Sequence, residues 1–202
     1  MSFVLGLTGP TGAGKGIFSE CAKELGFNVV DCDKVAREAV KKGTPGLAAL
    51  VDAFGQEILL DSGELDRKKL AQIAFSSSDK TELLNTTVLP YIVKLVKKQI
   101  KGDFVVLDAP TLFQSGIDKI CNTTVAVTAP ENFRKTRIIS RDALDEAAAD
   151  MRLSAGKTDE FYRQSADTVL TNNETIENFK KKVKIYLSDI IGGNNNERLQ
   201  ED

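Results

Sequence analysis

The sequence predicts an α/β fold built on a parallel, doubly wound sheet, and three observations carry that prediction. Short apolar segments of strand length recur along the chain, each closed by turn residues. Amphipathic helical patterns fill the intervals between them. The first apolar segment also runs straight into a glycine-rich turn that opens a helix.

The elements follow in order. "SFVLGLTG" reads as a buried first strand, and "AGKGIFSECAKELGF" as a helix with Gly26 as its C-cap. "FNVVDCD" is the second strand and "DFVVLDAP" the third, closing on Asp108 and Pro110. "NTTVAVTAP" and "ADTVLTN" complete the set. The interval between the second and third strands is too long for a simple crossover. There "PGLAALVDAFG", "LDRKKLAQIAFSSSD" and "DKTELLNTTVLPYIVKLVKKQIKG" read as helices, so residues 44–102 form a helical insertion. A second helical, charge-rich interval lies between the last two strands, and the polar tail from residue 192 reads as disordered. A chain of 202 residues suits one α/β domain with a small insertion.

Composition narrows the chemistry. The net charge of −2 argues neither for nor against nucleic acid and gives membrane attraction no obvious source, and no apolar run approaches spanning length. Three widely spaced cysteines suggest neither a disulfide framework nor a metal knuckle, and a reducing cytoplasm is the natural compartment. There is no histidine, so any general base is Asp, Glu, Lys, Tyr or Cys, and Ser-His hydrolysis is excluded.

Gly9, Gly14 and Lys15 satisfy G-x-x-x-x-G-K between a strand and a helix, where backbone N–H groups and the helix dipole cradle phosphate. A solvated lysine is unfavourable at the positive end of a helix, so a bound anion better explains Lys15. The motif's next residue is ordinarily Ser or Thr, whose hydroxyl holds Mg²⁺; here it is Gly16, followed by Ile17. Asp31 and Asp33 close the second strand, and alternation places both on one side with Cys32 on the other. Asp33 either accepts a proton from a substrate hydroxyl or caps the following helix. Asp108 ends an apolar strand as a Walker B acid does, where it holds metal, or else forms a turn before Pro110. Arg134, Arg137 and Arg141 fall at helical spacing on one cationic face, with Arg152 beyond them. They form either a salt-bridged surface or a lid that neutralises transition-state charge.

Together these stretches resemble the dephospho-coenzyme A kinase family over about residues 3–190. The resemblance runs through "GLTG…GAGKG", "LGFNVVDCDKVAREAV", "GTPGLAALVDAFGQEILLDSGELDRKKL", "LLN…LP", "VVLDAPTLFQSG", "RKTRIISRDAL" and "ADTVLTN". It implies a three-layer P-loop nucleotide kinase fold with a parallel five-stranded sheet, a helical insertion and a lid. Residues 1–43, 103–131 and 157–191 would be the core, 44–102 the coenzyme-binding insertion, 132–156 the lid and 192–202 the disordered tail. It implies transfer of the ATP γ-phosphoryl, with Mg²⁺, to the ribose 3′-hydroxyl of dephospho-coenzyme A. Asp33 would be the base, with Lys15, Arg137 and Arg141 also catalytic. Gly9, Thr11, Gly12, Ala13, Gly14, Lys15, Gly16 and Ile17 would hold ATP. Thr8, Asp33 and Arg37 would meet the acceptor, and Asp108 the metal. No nucleic-acid or membrane partner follows, and a cytoplasmic monomer or weak homo-oligomer is expected.

The chain departs from the family pattern at Gly16, Ile17, Leu89, Thr111, Gln114, Gly156, Tyr162 and Glu174. Most of these are expected at the site or lid, where they bear on metal binding and turnover but not on the fold. Loss of a metal contact predicts roughly 10–100-fold weaker metal use, not abolition. Thr8 and Thr11 lie nearest the loop as replacement hydroxyls, and Ser19, most of a turn along the helix, reads as a poor substitute. A competing reading is a degenerate homologue that binds ATP or coenzyme without turnover.

Overall fold

The computed structural model describes residues 2–198. Five parallel strands, β1 (Phe3–Thr8), β2 (Asn28–Asp31), β3 (Phe104–Asp108), β4 (Thr123–Thr128) and β5 (Thr168–Thr171), pair in the order β2-β3-β1-β4-β5. The chain therefore adds strands to opposite sides of β1, and ligands bind above such a switch in strand order at the carboxyl ends of the strands.

Alternation along the strands divides the interior into two cores. Val4, Val105 and Leu107 face one side, and Leu5, Leu7, Val106, Val125 and Val127 the other. On the second side pack α1 (Lys15–Glu24), through Phe18, Cys21 and Ala22, and α10 (Ile176–Arg198), through Phe179, Val183 and Leu187. On the first side lie α2 (Cys32–Ala39) and the helices of the long interval: α3 (Pro45–Phe54), α4 (Arg67–Ala74) and α5 (Ser78–Gln99). Each of these three starts on a side-chain cap, Thr44, Asp66 and Ser77, and Pro45 occupies the first turn of α3. These layers make a three-layer α/β fold.

A short α6 (Leu112–Ser115) follows β3, and α7 (Glu131–Asp142), α8 (Glu146–Ser154) and α9 (Asp159–Ser165) fill the interval between β4 and β5. Helices α7 and α8 form a hairpin held by Lys135 Nζ, 3.4 Å from Glu146 and 2.8 Å from Asp150.

Two expectations need correction. The chain leaves β2 at Asp31 and is helical from Cys32, so strand alternation does not place Asp31 and Asp33. Asp31, not Asp33, caps α2, accepting from the Lys34 N–H at 3.0 Å. The tail read as disordered from residue 192 continues α10 as far as Arg198, and residues 199–202 lie outside the described residues. Helix geometry already established through Phe179, Val183 and Leu187 carries on through Gly192 and Gly193.

Candidate active site

The loop between Thr8 and Lys15 is shaped by backbone that only glycine adopts cheaply. Gly14 has φ 112°, and a Cβ there would stand 2.4 Å from Asn172 Nδ2. No side chain caps α1, and Lys15 and Gly16 at its start line the cleft above the sheet. The fold braces this loop from two distant elements. Asn172, fully buried at the end of β5, donates from Nδ2 to the Ala13 carbonyl at 2.8 Å. Arg137 of α7 donates to the carbonyls of Gly12 and Ala13 at 3.2 and 3.4 Å, and to Asn172 Oδ1 at 3.3 Å.

A cleft of about 790 Å³ opens over this loop. Gly9, Thr11, Gly12, Gly14, Lys15 and Gly16 form its floor. Asp31, Asp33 and Asp108 also line it, as do Arg137, Arg141, Arg152 and Lys157. Asp31 and Asp108 are register neighbours at the ends of β2 and β3. The cleft thus gathers three carboxylates and, with Lys15, five cations around the glycine-rich loop.

Desolvation and charge shape its ionisation. Burial pulls the Lys15 ammonium below its ordinary value, against the opposing charges of Asp108 and Asp33. Its Nζ donates to the Gly9 carbonyl at 2.7 Å, folding the side chain over its own loop. Asp33 stands at the cleft mouth, where partial loss of hydration and then the Asp31 charge push its carboxyl up. Asp108 is raised mainly by burial, opposed by a hydrogen bond from Ser19 and by Lys15.

Several expected site residues lie elsewhere. Thr8 is fully buried and donates to the Pro110 carbonyl at 3.2 Å, joining β1 to the turn after β3 instead of meeting substrate. The Ala13 side chain, in the loop before α1, is fully buried, and the Ile17 side chain, in the first turn of α1, packs against the core. Arg37, on the exposed side of α2, does not line the cleft, although its charge acts on Asp33. Arg134 does not share the cationic face of Arg137 and Arg141. It is buried, donates from Nε to the Ala129 carbonyl at 3.0 Å and pairs with Asp159 at 3.6 Å. Of the positions that depart from the family pattern, Gly16, Thr111, Gln114, Gly156 and Tyr162 line the cleft, and Ile17, Leu89 and Glu174 do not.

Sequence reasoning missed Asn172, whose contact with Ala13 spans 159 positions, and Asp142. The Asp142 carboxylate grips Arg141 at Nε (2.8 Å) and Nη2 (2.9 Å) and Arg152 at Nη1 (2.6 Å), holding two cleft cations at once. The only hint of Asp142 in the sequence was an acid within an arginine-rich helical stretch.

A second, largely apolar cavity of about 240 Å³ lies among Val40, Leu50, Leu70, Val88, Leu89 and Ile92, and shares Thr111 with the main cleft. No described helix is long and apolar enough to cross a membrane.

This architecture has close counterparts. The dephospho-CoA kinase family model (CoaE) matches residues 3–178. A dephospho-CoA kinase of Enterococcus faecalis is 40% identical over 197 residues, covering 95% of this chain and 99% of that one. Among solved structures, a dephospho-CoA kinase from Campylobacter jejuni superposes with a TM-score of 0.66 at 25% identity, covering 96% of this chain and 100% of that one. The protein TT1252 of Thermus thermophilus gives a TM-score of 0.76 at 27% identity, with 93% and 97% covered. Matched by the family model over residues 3–178 and by a relative 40% identical over nearly its whole length, the chain belongs to the dephospho-CoA kinase family.

Proposed function

We propose that Asp33 is the base and Lys15 the phosphate-holding cation of an ATP-dependent transfer to the ribose 3′-hydroxyl of dephospho-coenzyme A, yielding coenzyme A. Membership of the family makes the chain an ATP-dependent kinase. The observation that carries the residue roles is the meeting of Lys15, Asp33 and Asp108 in one cleft above an uncapped helix N-terminus. In that reaction the hydroxyl oxygen bonds to the γ-phosphorus, the bond to the β–γ bridging oxygen breaks, and ADP leaves. Asp33 orients the hydroxyl and takes its proton, and its raised pKa suits a group that must accept one. The loop N–H groups and Lys15 hold the β- and γ-phosphates, and Arg141 and Arg152, steadied by Asp142, face the developing charge. Arg137 acts chiefly by fixing the loop carbonyls.

The family implies a divalent metal with ATP, and we take Mg²⁺ as that ion. The donors fit, since Asp108 with neighbouring Asp31 and Asp33 offers hard carboxylate oxygens. Among the described residues they form no cluster of three or more metal-ligating side chains, as suits an ion that also takes phosphate and water ligands. When bound, the ion screens phosphate charge; Asp108 would hold it. The apolar cavity beside Thr111 is a fitting place for the pantetheine arm, and α3–α5 would then be the coenzyme-binding insertion; residues 132–156, which bring Arg137, Arg141 and Arg152 to the main cleft, would be the lid. The enzyme acts in the cytoplasm, as a monomer or weak homo-oligomer.

The test is coupled ADP release from ATP and dephospho-coenzyme A across a Mg²⁺ titration. Asp33→Asn should lower kcat by about 10²–10⁴-fold while ATP binding persists. Binding of either ligand without any acceptor-dependent ADP from the unmodified protein would refute the reading and leave a ligand-binding homologue.

A further inference from the structure

Gly16 follows the loop lysine and offers no hydroxyl, yet nothing in the fold demands a glycine there. A Cβ at this position meets no atom within 4 Å, and its backbone is not left-handed. Three residues on, Ser19 occupies the same face of α1 one turn deeper. A helical serine ordinarily spends its hydroxyl on the carbonyl of the preceding turn or on water. The Ser19 side chain is instead buried, and its Oγ donates to Asp108 Oδ2 at 2.9 Å, across 89 positions of sequence. That bond restrains the rotation of the Asp108 carboxylate and leaves Oδ1 for the cleft that Asp108 lines.

We propose that Ser19 is the positioning residue of the metal site. It orients the Asp108 carboxylate from within α1, and so supplies the link between the loop helix and the β3 acid in a chain whose position 16 has no hydroxyl. The proposal rests on the reading of Asp108 as the residue that holds the metal. Ser19 acts through Asp108 alone, since it does not line the cleft.

The experiment measures equilibrium ATP affinity of the full chain with EDTA and with Mn²⁺, alongside Mn²⁺ binding in the presence of ATP read by electron paramagnetic resonance. Ser19→Ala should weaken Mn²⁺ binding roughly 10–100-fold and leave metal-free ATP affinity unchanged. In a Gly16→Ser background the same change should cost little, because a hydroxyl at 16 reaches the site from the same face. Ser19→Cys, close in volume and a weak donor, replaces Ser19→Ala should thermal melts show that variant unfolded. Unchanged Mn²⁺ binding, equal losses with and without metal, or the same cost in both backgrounds would each overturn the role of Ser19. Asp108→Asn separates the two layers of the argument. If it keeps full Mn²⁺ binding, the reading of Asp108 itself fails. If it loses Mn²⁺ binding while Ser19→Ala does not, only the positioning role fails.

Discussion

Gly14 shows how tightly the site depends on single residues. Its φ of 112° and the nearness of Asn172 leave no room for a side chain, and Asn172 cannot withdraw without releasing Ala13. Gly14→Ala should therefore cost about 1–3 kcal/mol and weaken ATP binding, as seen in thermal melts and nucleotide titrations. An alanine variant with unchanged melting and affinity would show that the loop relaxes without penalty. Gly14 was legible in the sequence because the phosphate-loop motif is local, a strand, a turn and a helix start in succession. Asn172 was not, because nothing near residue 172 states which loop lies above the end of β5.

At the scale of elements, α7 is anchored and presents charge at the same time. Arg134 fixes its buried side to the end of β4 and to α9, where Asp159 carries a buried oxygen with no hydrogen-bond partner. Arg134→Met keeps the volume but leaves that carboxylate uncompensated, at a cost of about 3 kcal/mol. The expected fall in Tm is roughly 6–12 °C for a chain of this size; a fall within error would show that Asp159 turns to water. Three arginines at helical spacing predicted one face, whereas the helix divides them among a buried pin, a loop brace and a cleft wall. Periodicity gives the angle of each side chain around the axis, but only the neighbours of α7 decide which angles are inside.

Across the whole molecule, the cleft concentrates charge that the fold must hold without ligand. The folded-state pKa of Asp33 is raised, so ionising it in the folded protein is penalised. Its contribution is neutral below the ordinary carboxylate value of about 3.9, and stability is lost as pH rises through the raised folded value. Ligand-free Asp33→Asn should therefore melt above the unmodified protein at pH 7, with the difference closing as pH falls below about 3.9. The acid limb of kcat/KM for the unmodified enzyme should likewise lie above about 3.9. A limb at or below that value, or an Asn variant that melts lower at pH 7, would contradict this account. The sequence by itself determined the parallel α/β class, the strand, glycine-rich turn and helix that open the chain, and the helices between the second and third strands. Each of these follows from hydrophobic period or from contacts within a few residues. Only the tertiary structure decided that Ser19 turns to Asp108, that Asn172 and Arg137 brace the loop, that Asp142 holds two arginines, and that Thr8 and Arg134 lie inside. Most of those facts depend on which distant segments the sheet order brings together, and a local pattern carries no record of that.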